Sequence, residues 1–111
     1  MAMDPSGFSI TASERDGRTV VLIRGELDLA TAPDLERVIV ERLDAGDDVV
    51  VDLRELAFMD SSGLRVLVAA HTRTQGGEQQ FLIVRPPEGS PVARILSIAG
   101  LERELNLIDD A

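Results

Sequence analysis

Two adjacent serines, Ser61 and Ser62, stand between the acidic Asp60 and the apolar-rich run from Leu64 to Ala70. A short apolar stretch gives way to a helix there, so Ser61 is expected at a helix N-terminus, facing solvent. Unpaired backbone N–H groups and the positive end of the helix dipole converge at such a position. Together they stabilise a phosphoryl group on a side chain or an approaching anion. Presented rigidly, such a hydroxyl can accept a phosphate whose transfer is catalysed by another protein. Plain helix capping is the commoner use of serine before a helix, and the flanking residues are what favour the phosphoacceptor.

Other chemistries for these residues fail on particular positions. A hydrolase nucleophile elbow wants glycine two residues either side of its serine, and Met59 stands on one side although Gly63 stands on the other. The single histidine, His71, lies further along the same helix, roughly 15 Å from Ser61 by helical rise, and is given no role. Asp52, at a strand end, has the place of an aspartyl phosphoacceptor, but no lysine exists to meet the phosphoryl oxygens. All 11 basic residues are arginine, and tryptophan and tyrosine are also absent. A Schiff base, a Walker-type lysine and a His-rich metal site are therefore out of reach. The census favours a binding partner over a catalyst, with no cofactor.

The net charge of −9 opposes binding to nucleic acid, whose affinity comes largely from cations displacing counterions along the phosphates. No apolar run approaches the roughly 20 residues that span a bilayer, and the basic-then-apolar order of a secretory signal is missing. Cysteine is absent too, in keeping with a reducing compartment. The expectation is a cytoplasmic protein with no membrane partner. Its 111 residues fit one domain, 1–111, with 1–7 and 109–111 loose at the ends.

The elements that must position Ser61 follow from periodicity. Phe8–Ala12 alternates as a half-buried strand, and Asp16-Gly17 supplies the turn of a hairpin. Thr19–Arg24 is nearly continuous in β-branched and apolar residues, as in a strand covered on both faces, and ends at Gly25-Glu26-Leu27-Asp28. Thr31 and Asp34 are spaced as a capping box for a helix carrying Leu35, Val38, Ile39 and Leu43. Val49–Leu53 reads as a central strand, with Phe58-Met59 packing inward before the serines. A helix over about Ser62–Thr74 ends near Gly76-Gly77, and Phe81–Val84 forms a further strand. Ser90 and Pro91 open a last helix, which Gly100 closes before Leu105–Ile108. A hairpin followed by alternating helix and strand predicts an α/β fold. Its mixed sheet is mostly parallel, has an antiparallel N-terminal edge, and is joined by right-handed crossover helices.

These residues resemble a STAS domain, and within that family the stand-alone bacterial anti-sigma factor antagonists. The resemblance spans nearly the whole chain. It rests on Gly25-Glu26-Leu27-Asp28 with Thr31-Ala32 and Leu35, on Phe58-Met59-Asp60-Ser61-Ser62-Gly63-Leu64, on Gly76-Gly77, and on Ser90-Pro91-Val92 leading to Gly100-Leu101. It implies a partner-switching protein phosphorylated on Ser61 by an anti-sigma factor of the GHKL serine kinase type, and reset by a serine phosphatase. In that scheme Asp60, Ser62 and Gly63 flank the acceptor, with Gly63 admitting the kinase close to the helix start. Glu26 and Asp28 form an acidic docking loop. Leu29-Ala30 and Arg65 depart from the polar and the small residues common at those places. A STAS scaffold subunit of a lipid-transport or stress-sensing complex, docking without phosphoryl turnover, is the alternative.

The switch also follows from charge. Phosphorylation adds about −1.5 to −2 at neutral pH. Among Glu26, Asp28 and Asp60 that charge repels and is costly to bury in an interface, while the helix dipole steadies it in the free protein. Partner binding is expected to weaken without unfolding.

Overall fold

Asp16 and Gly17 both take positive φ, 54° and 80°, and this two-residue turn joins β1 (Ser9–Arg15) to β2 (Arg18–Leu27) as an antiparallel hairpin. The computed structural model describes residues 7–111; the expectation of a frayed terminus falls, for residues 1–6, outside them. Beyond the hairpin come α1 (Ala32–Asp44), β3 (Asp48–Asp52), β4 (Leu56–Met59), α2 (Ser61–Thr74), β5 (Phe81–Val84), α3 (Pro91–Ile98) and β6 (Leu107–Ile108). The sheet runs β1-β2-β3-β5-β6, parallel after the first pair, with β4 paired to β2 off that path. This is the expected mixed α/β architecture. The last strand is shorter than Leu105–Ile108, since pairing is confined to Leu107 and Ile108.

Each parallel crossover steps the same way across the sheet, from β2 to β3 to β5 to β6. Right-handed connections in one direction put their helices on one face. Accordingly Leu35, Ile39 and Leu43 of α1, Val66, Leu67 and Ala70 of α2, and Val92 and Leu96 of α3 share one core with Val21, Ile23, Val49, Val51 and Ile83. The opposite face carries Val20, Val50 and Val84, flanked by Leu82, Ile108 and Ala111, and no helix side chain joins that cluster. β2 is buried on both faces, as expected, with Val21 and Ile23 on one and Val20 on the other, but among the described residues helices cover only the first. Its unbroken apolar run buries one row under helices, while the other row is shielded by side chains of the sheet and of the chain end.

Helix ends follow the sequence where glycine or serine was the signal. Ser90 Oγ accepts from Ala93 N at 3.1 Å, with Pro91 in the first turn. After α3, Gly100 at φ 71° lets Leu101 N donate to Leu96 O, closing the helix with a left-handed cap. Asp109 and Asp110 meet Arg85 and Arg54, but both carboxylates are more than four-fifths exposed, and such pairs hold a chain end weakly.

Asp52 is the one buried carboxylate among the described residues. Its oxygens accept from Arg54 Nε, the second guanidinium nitrogen and the Arg54 backbone N, at 3.1, 2.9 and 3.0 Å. Burial pushes the Asp52 carboxyl up, but the Arg54 hydrogen bonds and charge, with a smaller contribution from Arg15, outweigh it and leave a net depression. A depressed carboxyl contributes stability that is complete above the unfolded value of about 3.9 and is lost as pH falls through the folded value. Arg54→Ala should therefore lower unfolding stability by roughly 1–2 kcal/mol at pH 7, less than for a fully buried pair because Arg54 is half exposed. Urea melts at successive pH values should show the gap between variant and parent narrowing below about pH 4.

Candidate functional site

The site is assembled where β2 outruns β3. The first half of β2 pairs with β3, and beyond a register shift at Gly25/Glu26 its end pairs with β4, setting Glu26 beside Phe58 and Leu27 beside Met59. Asp60 N then donates to Leu27 O at 3.1 Å. Two sequence segments thirty or so residues apart are thus held as one ledge. Only half of the inward packing expected of Phe58-Met59 occurs: Met59 is buried, but Phe58 alternates outward on the strand and is 44% exposed. A four-residue strand with one exposed aromatic has too little periodicity to be read from sequence.

At the end of that ledge Asp60 is extended, φ −108° and ψ −170°, and its Oδ1 accepts from Ser62 N at 2.8 Å. Asp60, not a serine, caps α2. Ser61 is the first helical residue, exposed, and its hydroxyl makes no hydrogen bond among the described residues. The capping explanation for Ser61 is therefore removed. Ser62 is half-buried beside it.

Gly63 faces the other way. A Cβ there would stand 2.7 Å from both Leu27 Cδ2 and Met59 Cγ, so the bare position lets α2 settle onto β2 and β4. The position thus has an internal role beside the partner-facing one expected of it: it sets how deep the helix start sits.

The loop after β2 is tied from within. Asp28 Oδ1 accepts from the backbone N of Ala30 and Thr31, at 3.0 and 3.2 Å, and lies 3.2 Å from Thr31 Oγ1. Thr31 Oγ1 in turn accepts from Asp28 N at 2.9 Å and reaches Glu26 O at 2.8 Å. The expected capping box is not formed: Thr31 bonds back into its own loop, and Asp34 turns to Arg37. Glu26 is exposed, whereas much of Asp28's hydrogen-bonding capacity is engaged in the loop. At the loop's tip Leu29 is 76% exposed.

Beside Ser62 a groove of about 360 Å³ opens between α1 and α2, walled by Leu29, Pro33 and Glu36 on one side and Arg65 and Ala69 on the other. A larger one, about 640 Å³, lies at the far end of α2 among His71, Thr74, Gln79, Glu104 and Asn106, away from Ser61. No cluster of three or more His, Cys, Asp or Glu that could hold a metal occurs among the described residues. No helix described is long and apolar enough to cross a membrane.

The profile of the STAS domain matches residues 9–111. The chain belongs to the STAS domain family. It is 33% identical over 104 residues to the anti-sigma-F factor antagonist RsfB of Mycobacterium tuberculosis, covering 93% of this chain and 83% of that one. It is 30% identical over 96 residues to the anti-sigma-B factor antagonist of Staphylococcus aureus, covering 86% and 87%. Among solved structures, an anti-sigma factor antagonist from Mycobacterium paratuberculosis superposes with a TM-score of 0.83 at 28% identity, covering 98% of this STAS domain and 92% of that chain.

Two substitutions separate the cap from the packing. Asp60→Ala should cost about 1 kcal/mol through the lost cap, and Asp60→Asn much less. Gly63→Ala should cost roughly 1–3 kcal/mol by overpacking, with part of the loss recovered on adding Leu27→Ala, a non-additivity that denaturant melts of the double-mutant cycle would register.

Proposed function

We propose that this STAS domain is an anti-sigma factor antagonist whose attachment to its partner is controlled by phosphorylation of Ser61. The observation that carries the reading is the free hydroxyl. Asp60 does the capping, so Ser61 stands exposed, its hydroxyl unbonded among the described residues, at the start of a 14-residue helix. The partner is an anti-sigma factor of the GHKL serine kinase type, a serine phosphatase resets the state, and the exchange takes place in the cytoplasm. The likeness to proteins named as antagonists of anti-sigma factors supports the partner class.

The kinase brings ATP and magnesium. Ser61 Oγ forms the new bond to the γ-phosphorus, the bond to the ADP oxygen breaks, and the hydroxyl proton leaves to the kinase or to water. This chain's contribution is position: the β2–β4 pairing, the Asp60 cap and Gly63 fix the acceptor. In the unmodified state Glu26, Asp60 and the half-buried Ser62 frame a surface that steers a partner carrying positive charge. Adding a dianion beside those carboxylates raises the cost of keeping the interface dry. The bound partner is released, and Asp28, engaged in its loop, contributes background charge more than direct contact.

Incubation with the cognate kinase and ATP, followed by mass mapping, should place phosphate on Ser61 alone. Ser61→Ala should take up none and keep binding the kinase, and the phosphorylated protein should lose at least tenfold in affinity by titration calorimetry. Phosphate centred on Ser62 would overturn the site. Undiminished binding of the phosphorylated form would overturn the switch.

A further inference from the structure

Arg65 stands one turn along α2 from Ser61. Residues four apart on a helix are neighbours on its surface, and a long helical side chain leans back toward the N-terminus, over the turn before its own Cα. Arg65 is exposed and has no ion pair or hydrogen bond among the described residues, although Arg24, Arg37, Arg42, Arg54, Arg73 and Arg85 each have an acidic partner. It lines the groove that opens beside Ser62, facing Glu36 and Leu29 across it. It is thus an uncommitted guanidinium within a turn of the acceptor oxygen.

We propose that Arg65 is the internal partner of a phosphate on Ser61, folding back to form a charge-assisted, two-pronged contact with it once it is attached. The proposal rests on the phosphoacceptor reading of Ser61. Guanidinium matches phosphate oxygens in a fork geometry that a single ammonium cannot. The charged groups facing this position are Asp60 at the cap of α2, Glu36 from α1, Glu26 near the end of β2, and Asp28 from the loop beyond it. All are acidic, and among the described residues that line the groove Arg65 is the one cation to oppose the added charge. In the unmodified protein the same side chain is free to meet a carboxylate of the docking partner. Phosphorylation then alters the surface twice: it adds an anion, and it withdraws an arginine from the groove.

Phosphoserine installed at position 61 by genetic encoding tests this without any kinase, so failure of enzymatic labelling and failure of the clamp give different results. Phosphorus NMR titration should show the second ionisation, ordinarily near pH 6, lowered by about half a unit or more in the parent relative to Arg65→Gln. Arg65→Lys should retain part of that shift, 0.5 M salt should shrink it, and Arg18→Gln, at the opposite end of β2, should leave it unchanged. Thermal midpoints of the unphosphorylated parent and Arg65→Gln should coincide. Identical titrations for the phosphorylated parent and Arg65→Gln would overturn the proposal, as would an equal shift in Arg18→Gln.

Discussion

The approach of α2 to the tip of β2 is the contact on which the site depends. It exists because position 63 has no side chain to hold Leu27 and Met59 away. Close packing there leaves the helix start little freedom, since interiors at crystal-like density resist even a methyl group. The Asp60 N–H bond to Leu27 O and the Asp60 side-chain cap then determine where the helix begins. Ser61 inherits its position from these interactions and contributes none of its own. A hydroxyl that carries no structural duty can be altered without weakening the fold that presents it.

The same economy governs the acidic loop. Thr31 and Asp28 exchange hydrogen bonds that hold the chain's reversal between β2 and α1, which leaves Glu26 and Leu29 to face outward. A loop ordered by its own side chains needs no partner to shape it. Its shape is set in advance, so little ordering entropy would oppose any contact made there.

Much of this was legible in the sequence, for reasons that differ by element. Strands with unbroken β-branched runs and helices with clear glycine or serine punctuation reveal themselves, because local sterics and hydrophobic spacing set them. The exposed place of Ser61 at the start of α2 was legible from the apolar-to-helical change around it. What stayed hidden depends on tertiary pairing: β4 becomes a strand only because the end of β2 lies beside it, and Phe58 points outward for the same reason. Thr31 and Asp34 satisfy the capping-box spacing, yet the loop competes successfully for the threonine hydroxyl. Gly63 read as a small residue beside the acceptor, and its inward contact with Leu27 and Met59 became visible only in the packed fold. What covers the second sheet face was illegible locally, since an apolar run cannot tell a helix from neighbouring side chains as its cover.

The hairpin turn at Asp16-Gly17 has a consequence of another kind. β2 runs ten residues from that turn to the site, and at a strand's rise of about 3.3 Å per residue the two ends are roughly 30 Å apart. The turn joins edge strand β1 to β2 at the end of β2 away from α2 and the loop after β2. Foreign sequence, a fluorescent reporter or a second module could be grafted there and carried as cargo, while the candidate site at the other end of β2 remains unobstructed.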